Sequence, residues 1–227
     1  MRLLALDTAT ECCSAALLIE GRLLTREAEL GRGNAERILP MLDELLGEAA
    51  IGLREVDAIA FGRGPGSFTG VRLAASIAQG LAFGAGLAVV AISDLRALAQ
   101  RAFDEDGGVA RALVCNDARM KEVYWGCFER DSDGLALARG PERVGSPESV
   151  ELPPAWAEAA GIGRGFTAHP ALRALAGVTV RGRFDQLLPR AAEVARLAVP
   201  ELTAGRLLAP EAAVPVYLRD DVARPPP

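Results

Sequence analysis

The sequence predicts a two-lobed α/β protein made of two similar halves, and three observations carry that reading. The stretch LLALDTATECCSAALLI at 3–19, which reads as strand, aspartate, polar turn and strand, returns as ALVCNDARMKEVYWGCF at 112–128, with Asp7 and Asp117 in matching places. Through the first half, short apolar runs alternate with segments of helical length and period. Between the halves stands DEDGG at 104–108, a turn-forming break. With 227 residues, 50% of them hydrophobic, the chain can bury a core of that size. The expected division is a first lobe over 1–104, a second over 109–219 and a disordered tail over 220–227 that ends in RPPP.

Each element follows from local chemistry. Leu3 to Leu6 is a short apolar strand closed by Asp7; Ser14–Glu20 and, after Gly21, Arg22–Leu30 are its successors. Asn34 suits the N-cap of a helix carrying Ile38, Leu42, Leu45, Leu46 and Ala49 at helical spacing. Pro40 lies too deep for the favoured first turn, which predicts either a kink or a start near Ile38. Val56–Phe61 is extended, the Gly-rich GRGPGSFTG follows, and Val71–Phe83 is a helix. Ala88–Ile92 is a buried strand, and Ser93 or Asp94 caps a helix to about Ala102. In the second half, strands are expected at Arg111–Cys115 and Val123–Phe128, and helices near Pro170–Leu175 and Pro189–Val199.

Composition excludes several functions. The net charge is −5, from 25 Lys+Arg against 30 Asp+Glu, and Lys121 is the only lysine, so no segment supplies the basic stripe of a stand-alone nucleic-acid binder. A single histidine, His169, rules out paired-His zinc motifs within the chain. His169 precedes a proline and is held extended, and nothing supports a Ser/His/Asp triad around it. Cys12, Cys13, Cys115 and Cys127 lack C-x-x-C spacing and read as reduced core residues. The N-terminal apolar run meets Asp7 too soon for a signal peptide, and no run approaches the ~20 apolar residues of a membrane helix. A cytoplasmic protein is expected.

GRGPGSFTGVR at 62–72 sits where a strand-to-helix turn aims backbone N–H groups at an anion, and Gly64 and Gly66 permit close backbone approach. Position by position it is neither a P-loop, which needs Gly-Lys-Ser/Thr, nor a dinucleotide fingerprint, which needs glycine where Ser67 stands, nor a G-x-S-x-G elbow, since Pro65 and Thr69 replace its glycines. The alternative is a plain Gly-rich turn capped by Ser67 or Thr69. Asp7 and Asp117 could together hold hydrated Mg²⁺ at phosphates between the lobes, or could simply end strands and start turns. Weak nucleotide binding would then fall on Asp7, Gly64, Gly66, Ser67, Thr69 and Asp117. Between Val71 and Phe83 the polar residues Arg72, Ser76 and Gln79 form one narrow stripe, and the rest is apolar and alanine-rich. Such a helix must be covered on more than one side, which predicts either a helical protein–protein interface or burial within a monomer.

Together, MRLLALDTATECCSAAL, ERILPML, GRGPGSFTGVR with IAQGLAFG, DARMKEVYWG and PVYLR resemble the bacterial TsaB (YeaZ) family, from residue 1 to about Arg219. The resemblance implies the actin/sugar-kinase/Hsp70-like two-lobed fold, with two pseudo-repeated βββαβα-type halves. It implies a part in making N6-threonylcarbamoyladenosine at position 37 of tRNAs that read codons beginning with A. TsaB is there the non-catalytic paralogue of the transferase TsaD; TsaE, an ATPase, completes the complex. Pairing with TsaD or with a second copy would run through the first two helices, on the faces of Ile38, Leu42, Leu45, Val71, Ala74, Ala75 and Ala78. The tRNA would be held mainly by the complex, and no membrane is involved. TsaD-type sites hold a metal with H-x-x-x-H; GRGNAERILPML at 31–42 has no histidine, and Asn34 stands where many TsaB proteins keep one. No metal, no catalytic residue and no required cofactor are therefore expected, with weak ATP or ADP and Mg²⁺ left open. The competing readings are an ATP-dependent phosphotransferase of the same fold using Asp7, Asp117 and GPGSFTG, and a metallopeptidase.

Overall fold

The computed structural model describes residues 1–219; the tail expected over 220–227 lies outside the described residues. Strands β1 (Arg2–Asp7), β2 (Cys12–Ile19) and β3 (Arg22–Glu29) form an antiparallel meander, and β4 (Ala58–Gly62) and β5 (Ala88–Ile92) extend it in parallel beside β1, giving the order β3-β2-β1-β4-β5. The second half repeats the plan. There β6 (Arg111–Asp117), β7 (Val123–Arg130) and β8 (Ala136–Ala138) are antiparallel, and β10 (Ala159–Ile162) and β11 (Val178–Thr179) continue in parallel from β6, so β8-β7-β6-β10-β11 matches the first sheet strand for strand. A short β9 (Arg143–Gly145) pairs with β7 off this path. The chain has the duplicated two-lobed α/β fold.

The sheets repeat more faithfully than the helices. In the first half, α1 (Asn34–Glu48) links β3 to β4 and α2 (Phe68–Ala85) links β4 to β5. The equivalent connection from β10 to β11 holds only the four-residue α4 (Gly165–Ala168) and a 3-10 turn at Pro170–Ala174. The helix expected near Pro170 is thus that 3-10 turn, which α4 does not reach because it ends at Ala168, just before His169 and the helix-breaking Pro170.

Each half's closing helix lies on the other half's sheet. Helix α3 (Asp94–Glu105) packs on β6, β7 and β8, and α5 (Ala191–Thr203) packs on β1, β2, β4 and β5. The core between the sheets therefore joins Leu3, Ala5 and Ile92 to Ala112, Val114 and Phe128 through both helices. Two buried polar groups fix the exchange. Ser14 Oγ accepts the Ala191 N–H at 2.9 Å, serving as a cap supplied from β2 to a helix whose own N-cap, Arg190, makes no side-chain bond. Gln100, fully buried in α3, donates to Gly134 O at 3.0 Å and accepts from Ala136 N at 2.8 Å.

Helices α1 and α2 cover the outer face of the first sheet, and here the structure corrects the sequence reading. Ile38, Leu42, Leu45, Ala74, Ala75 and Ala78 are all at most 3% exposed and pack with Leu4, Leu6, Leu17, Ile59 and Phe61, while Val71, 2% exposed, is buried against Gly64 at the cleft wall. They are the core of this half, not a surface for a partner, because the apolar stripe of an amphipathic helix is first spent on its own sheet. Asn34 is likewise not the N-cap; that position is Gly33, with φ 100°, and Asn34 Nδ2 instead donates to Thr10 O at 3.1 Å. The helix runs unbroken through Pro40, which is solvent-exposed, so the late start does not occur.

Candidate functional site in the cleft between the halves

The turns after β1 and β6 meet across a cleft, with the N-terminus of α2 on one wall. A cavity of about 300 Å³ lies there, lined among others by Thr10, Gly66, Ser67, Asn116, Asp117 and Arg219. Both hairpin aspartates act in their turns: Ala9 N–H donates to Asp7 Oδ1 at 2.8 Å and Arg119 N–H to Asp117 Oδ1 at 2.9 Å. Strand alternation then separates them. Asp7 follows Leu3 and Ala5 on the face between the sheets, whereas Asp117 follows Leu113 and Cys115 on the outer face, and the β6 residue facing inward is Asn116. Asp117 lines the cavity, with His169 Nε2 at 3.7 Å and Arg119 Nη1 at 3.0 Å. Asp7 is fully buried and does not line it.

The partner of Asp7 is Asp94, the first residue of α3, also fully buried. Ser93 is the N-cap, its Oγ accepting from Arg96 N at 3.2 Å, which leaves the Asp94 side chain free to turn back toward β1. One Asp94 oxygen accepts the Gly64 N–H; the other, Oδ1, and Asp7 Oδ2 are the two oxygens with no conventional donor. Both converge above Gly62, where a Cβ would collide with Asp94 Oδ1 and lie 3.0 Å from Asp7 Oδ2. Two carboxyls brought together in this way, away from water, disfavour being ionised at the same time. Burial pushes Asp94 well above the ordinary carboxylate range, and the Asp7 charge pushes it the same way. Asp7 is also raised by burial, against the bonds from Asp94 and the Ala9 amide. Sequence reading considered Asp94 only as a cap; the available signal was a second polar residue after Ser93, in a segment otherwise buried on both sides.

The Gly-rich loop is filled by the protein itself. Gly64, with φ 99°, lets Val216 O come within 3.1 Å of its missing Cβ, and at Gly66 the Ala9 carbonyl stands 2.5 Å from that position. The Gly64 N–H goes to Asp94, the Ser67 N–H to Ala9 O at 2.7 Å, and the Gly70 N–H to Ser67 Oγ at 3.1 Å. Ser67 is therefore the helix cap, and Thr69 sits exposed in the first turn. A Cβ at Gly70 would overlap the Thr8 carbonyl oxygen, whose residue also donates its Oγ1 to Gly70 O at 2.7 Å. Gly70→Ala is expected to lower stability by about 2–3 kcal/mol in a denaturant titration, because backbone rather than a side-chain tip must yield.

All four cysteines are free and buried. Burial holds the Cys12 thiol up at about 12, with the Asp7 charge adding to it, and Cys13 and Cys127 at about 11. These are thiols, not thiolate nucleophiles. Among the described residues no three His, Cys, Asp or Glu side chains form a metal-binding group, and no helix is long and apolar enough to cross a membrane.

A family model described as TsaD, tRNA N6-adenosine threonylcarbamoyltransferase, matches residues 28–153. The chain is 41% identical over 228 residues to the tRNA threonylcarbamoyladenosine biosynthesis protein TsaB of Escherichia coli K12, covering 98% of this chain and 96% of that protein. The Haemophilus influenzae protein of the same name is 41% identical over 231 residues, covering 98% and 95%. The solved structure of YeaZ from Pseudomonas aeruginosa superposes with a TM-score of 0.88 at 44% identity, covering 96% of this chain and 99% of that one. Near-full-length identity at that level and a shared fold place the chain in the TsaB (YeaZ) family.

Proposed function

We propose that this protein is a non-catalytic partner of TsaD in forming the threonylcarbamoyl group on adenosine 37 of tRNAs that read codons beginning with A. Kinship supports the pathway, since the relatives it matches are named for tRNA threonylcarbamoyladenosine biosynthesis. The observation that supports the absence of turnover is the burial of Asp7 against Asp94. A carboxylate fully enclosed and facing a second buried carboxyl is a poor ligand for hydrated Mg²⁺, and Asp117, which does line the cavity, is already paired with Arg119. Three of the loop's amides, those of Gly64, Ser67 and Gly70, are already donated to Asp94, Ala9 and Ser67. Those residues do not fit the phosphotransferase reading, and calorimetry with Mg-ATP tests it directly. Tight binding removed by Asp7→Ala would overturn the non-catalytic assignment.

Partner binding moves to the exposed side of the first two helices. On α2 that side carries Thr69, Arg72, Ser76, Gly80 and Phe83, the last 79% exposed. Ser76 and Gly80, one turn apart, let another helix come close, and a Cβ at Gly80 would meet nothing within 4 Å. Gly80→Arg is expected to keep or slightly raise the melting temperature, since glycine costs a helix interior up to about 1 kcal/mol, while abolishing co-purification with TsaD or self-association. The functional experiment is a tRNA modification assay with TsaD, TsaE and threonylcarbamoyl-adenylate, with and without this chain. Full modification without it would sink the proposal.

A further inference from the structure

After α5 the chain doubles back over the first half. Leu208 and Val89 exchange both backbone hydrogen bonds at 2.9 Å on the edge strand β5, a single turn at Pro210–Ala212 lies against α2, and Val216 N–H donates to Arg63 O at 2.8 Å. The segment then crosses to the second half within three residues. Tyr217 Oη accepts from Arg72 Nε at 2.7 Å, with its ring 6.3 Å from Phe68, whose own face carries the Arg72 guanidinium at 3.4 Å. Arg219 reaches the turn between β6 and β7, donating to Ala118 O at 3.1 Å and pairing with the Glu122 carboxylate, with Met120 Sδ at 3.5 Å from Nη1.

The turn gripped by Arg219 is strained. Arg119, Met120 and Lys121 have φ of 61°, 52° and 62°, three left-handed residues in succession and none of them glycine. Each costs roughly 1–2 kcal/mol. Such conformations persist where surrounding contacts over-determine them. Arg219 binds both ends of the turn, at Ala118 and Glu122, while Met120 stands 75% exposed at its tip. The cleft cavity is walled by Val216 to Arg219 on one side and by the hairpin turns and the start of α2 on the others. Inside it, the Asn116 amide, 7% exposed, has neither its nitrogen nor its oxygen paired.

We propose that Val214–Arg219 is a strap closing the cleft between the halves, with Arg219 as its latch, and that its release opens the cavity and lets the 119–121 turn relax. The strap is held by a few directional contacts and no residue of it is fully buried: Val214 is 58% and Tyr217 46% exposed, and Pro215, Val216 and Leu218 are half-buried. Segments of that kind open at free energies well below global unfolding. The core helices α3 and α5 lie elsewhere, between the sheets, so opening need not disturb them.

Amide hydrogen exchange on the full chain tests this. Arg219→Ala is expected to speed exchange at Val216, Ala118 and Glu122 together, by at least about tenfold, with the α3 amides unchanged. Thr10→Cys, placed in the cavity wall, is expected to react with a maleimide several-fold faster when combined with Arg219→Ala. The charge swap Arg219→Glu with Glu122→Arg is expected to restore both rates in part, through the ion pair alone, since a carboxylate at 219 cannot donate to Ala118 O. Unchanged exchange at Ala118 and Glu122, acceleration of α3 to the same degree, or labelling of Thr10→Cys that ignores the latch would each overturn the strap.

Discussion

Leu42→Arg is expected to unfold the first half rather than to leave a folded monomer that fails to associate. Leu42 is 3% exposed and packs between α1 and the first sheet with Ile38, Leu45, Ile59 and Phe61. Truncating a buried leucine alone costs about 2–5 kcal/mol. Arginine adds a charge with no acidic partner in that layer, whose members are otherwise apolar, and isolated buried charge is among the few changes that exceed 4–5 kcal/mol. A loss of that size consumes much or all of the roughly 5–15 kcal/mol that stabilises a typical domain. Circular dichroism of the isolated chain is the deciding measurement: a cooperative native melt within a few degrees of the parent would show that the α1 apolar face is not core. Ala75→Arg behaves alike, because Ala75 sits 3% exposed against the same sheet. The contrast with Gly80→Arg, on the opposite side of α2, separates loss of fold from loss of association in one pair of variants.

The second large effect is a pH-dependent gain in stability from Asp94→Asn. In the folded state burial first and the neighbouring Asp7 charge second raise Asp94 well above the ordinary carboxylate range. The unfolded chain releases the Asp94 proton above about pH 3.8, so between there and the folded pKa the native state binds more protons than the unfolded one. Stability contributed by the pair is therefore complete below the unfolded pKa and is lost as pH rises toward the folded value, at up to about 1.4 kcal/mol per pH unit for one proton. Asparagine reproduces the protonated acid: its Oδ1 can take the Gly64 N–H and its Nδ2 can donate to Asp7 Oδ2. The variant is expected to match the parent near pH 4 and to melt progressively higher than it toward pH 8. Parallel melting curves across that range would show that Asp94 is not held above the ordinary carboxylate range. Gly62→Ala acts on the same pair from the other side, since its Cβ would enter the space between the carboxyls.

The seven strands through β7 were legible because their signal is local, whereas the short strands β8 to β11 carry too few residues to show a period and were not read. The first β-hairpin and its counterpart at β6 and β7 could be read from short apolar runs, each ended by an aspartate that the structure uses as a turn former. Ser67 was legible as one of two candidate caps, with Thr69 the other, because a hydroxyl one turn from a free amide needs no distant information; the structure decides for Ser67. Asn34 misled for the complementary reason. Its amide is taken by Thr10, which lies on a different hairpin, and no local rule weighs that competitor.

The sequence by itself determined the class of fold, the duplicated strand pattern and, through its motifs, the family, since all three rest on residue type and spacing along the chain. The tertiary structure alone decided which side of a helix is core. Periodicity shows that Leu42 and Ala75 share an apolar face with their neighbours, but only the sheet beneath them shows that the face is already covered. It alone decided that Asp7 faces Asp94 rather than Asp117, because in a strand one position of register exchanges the two sides of a sheet. It also decided that Arg219 closes on a turn 97 residues earlier in the chain. Such pairings depend on where the two sheets and their exchanged helices come to rest, and that is set by the packing of the whole core.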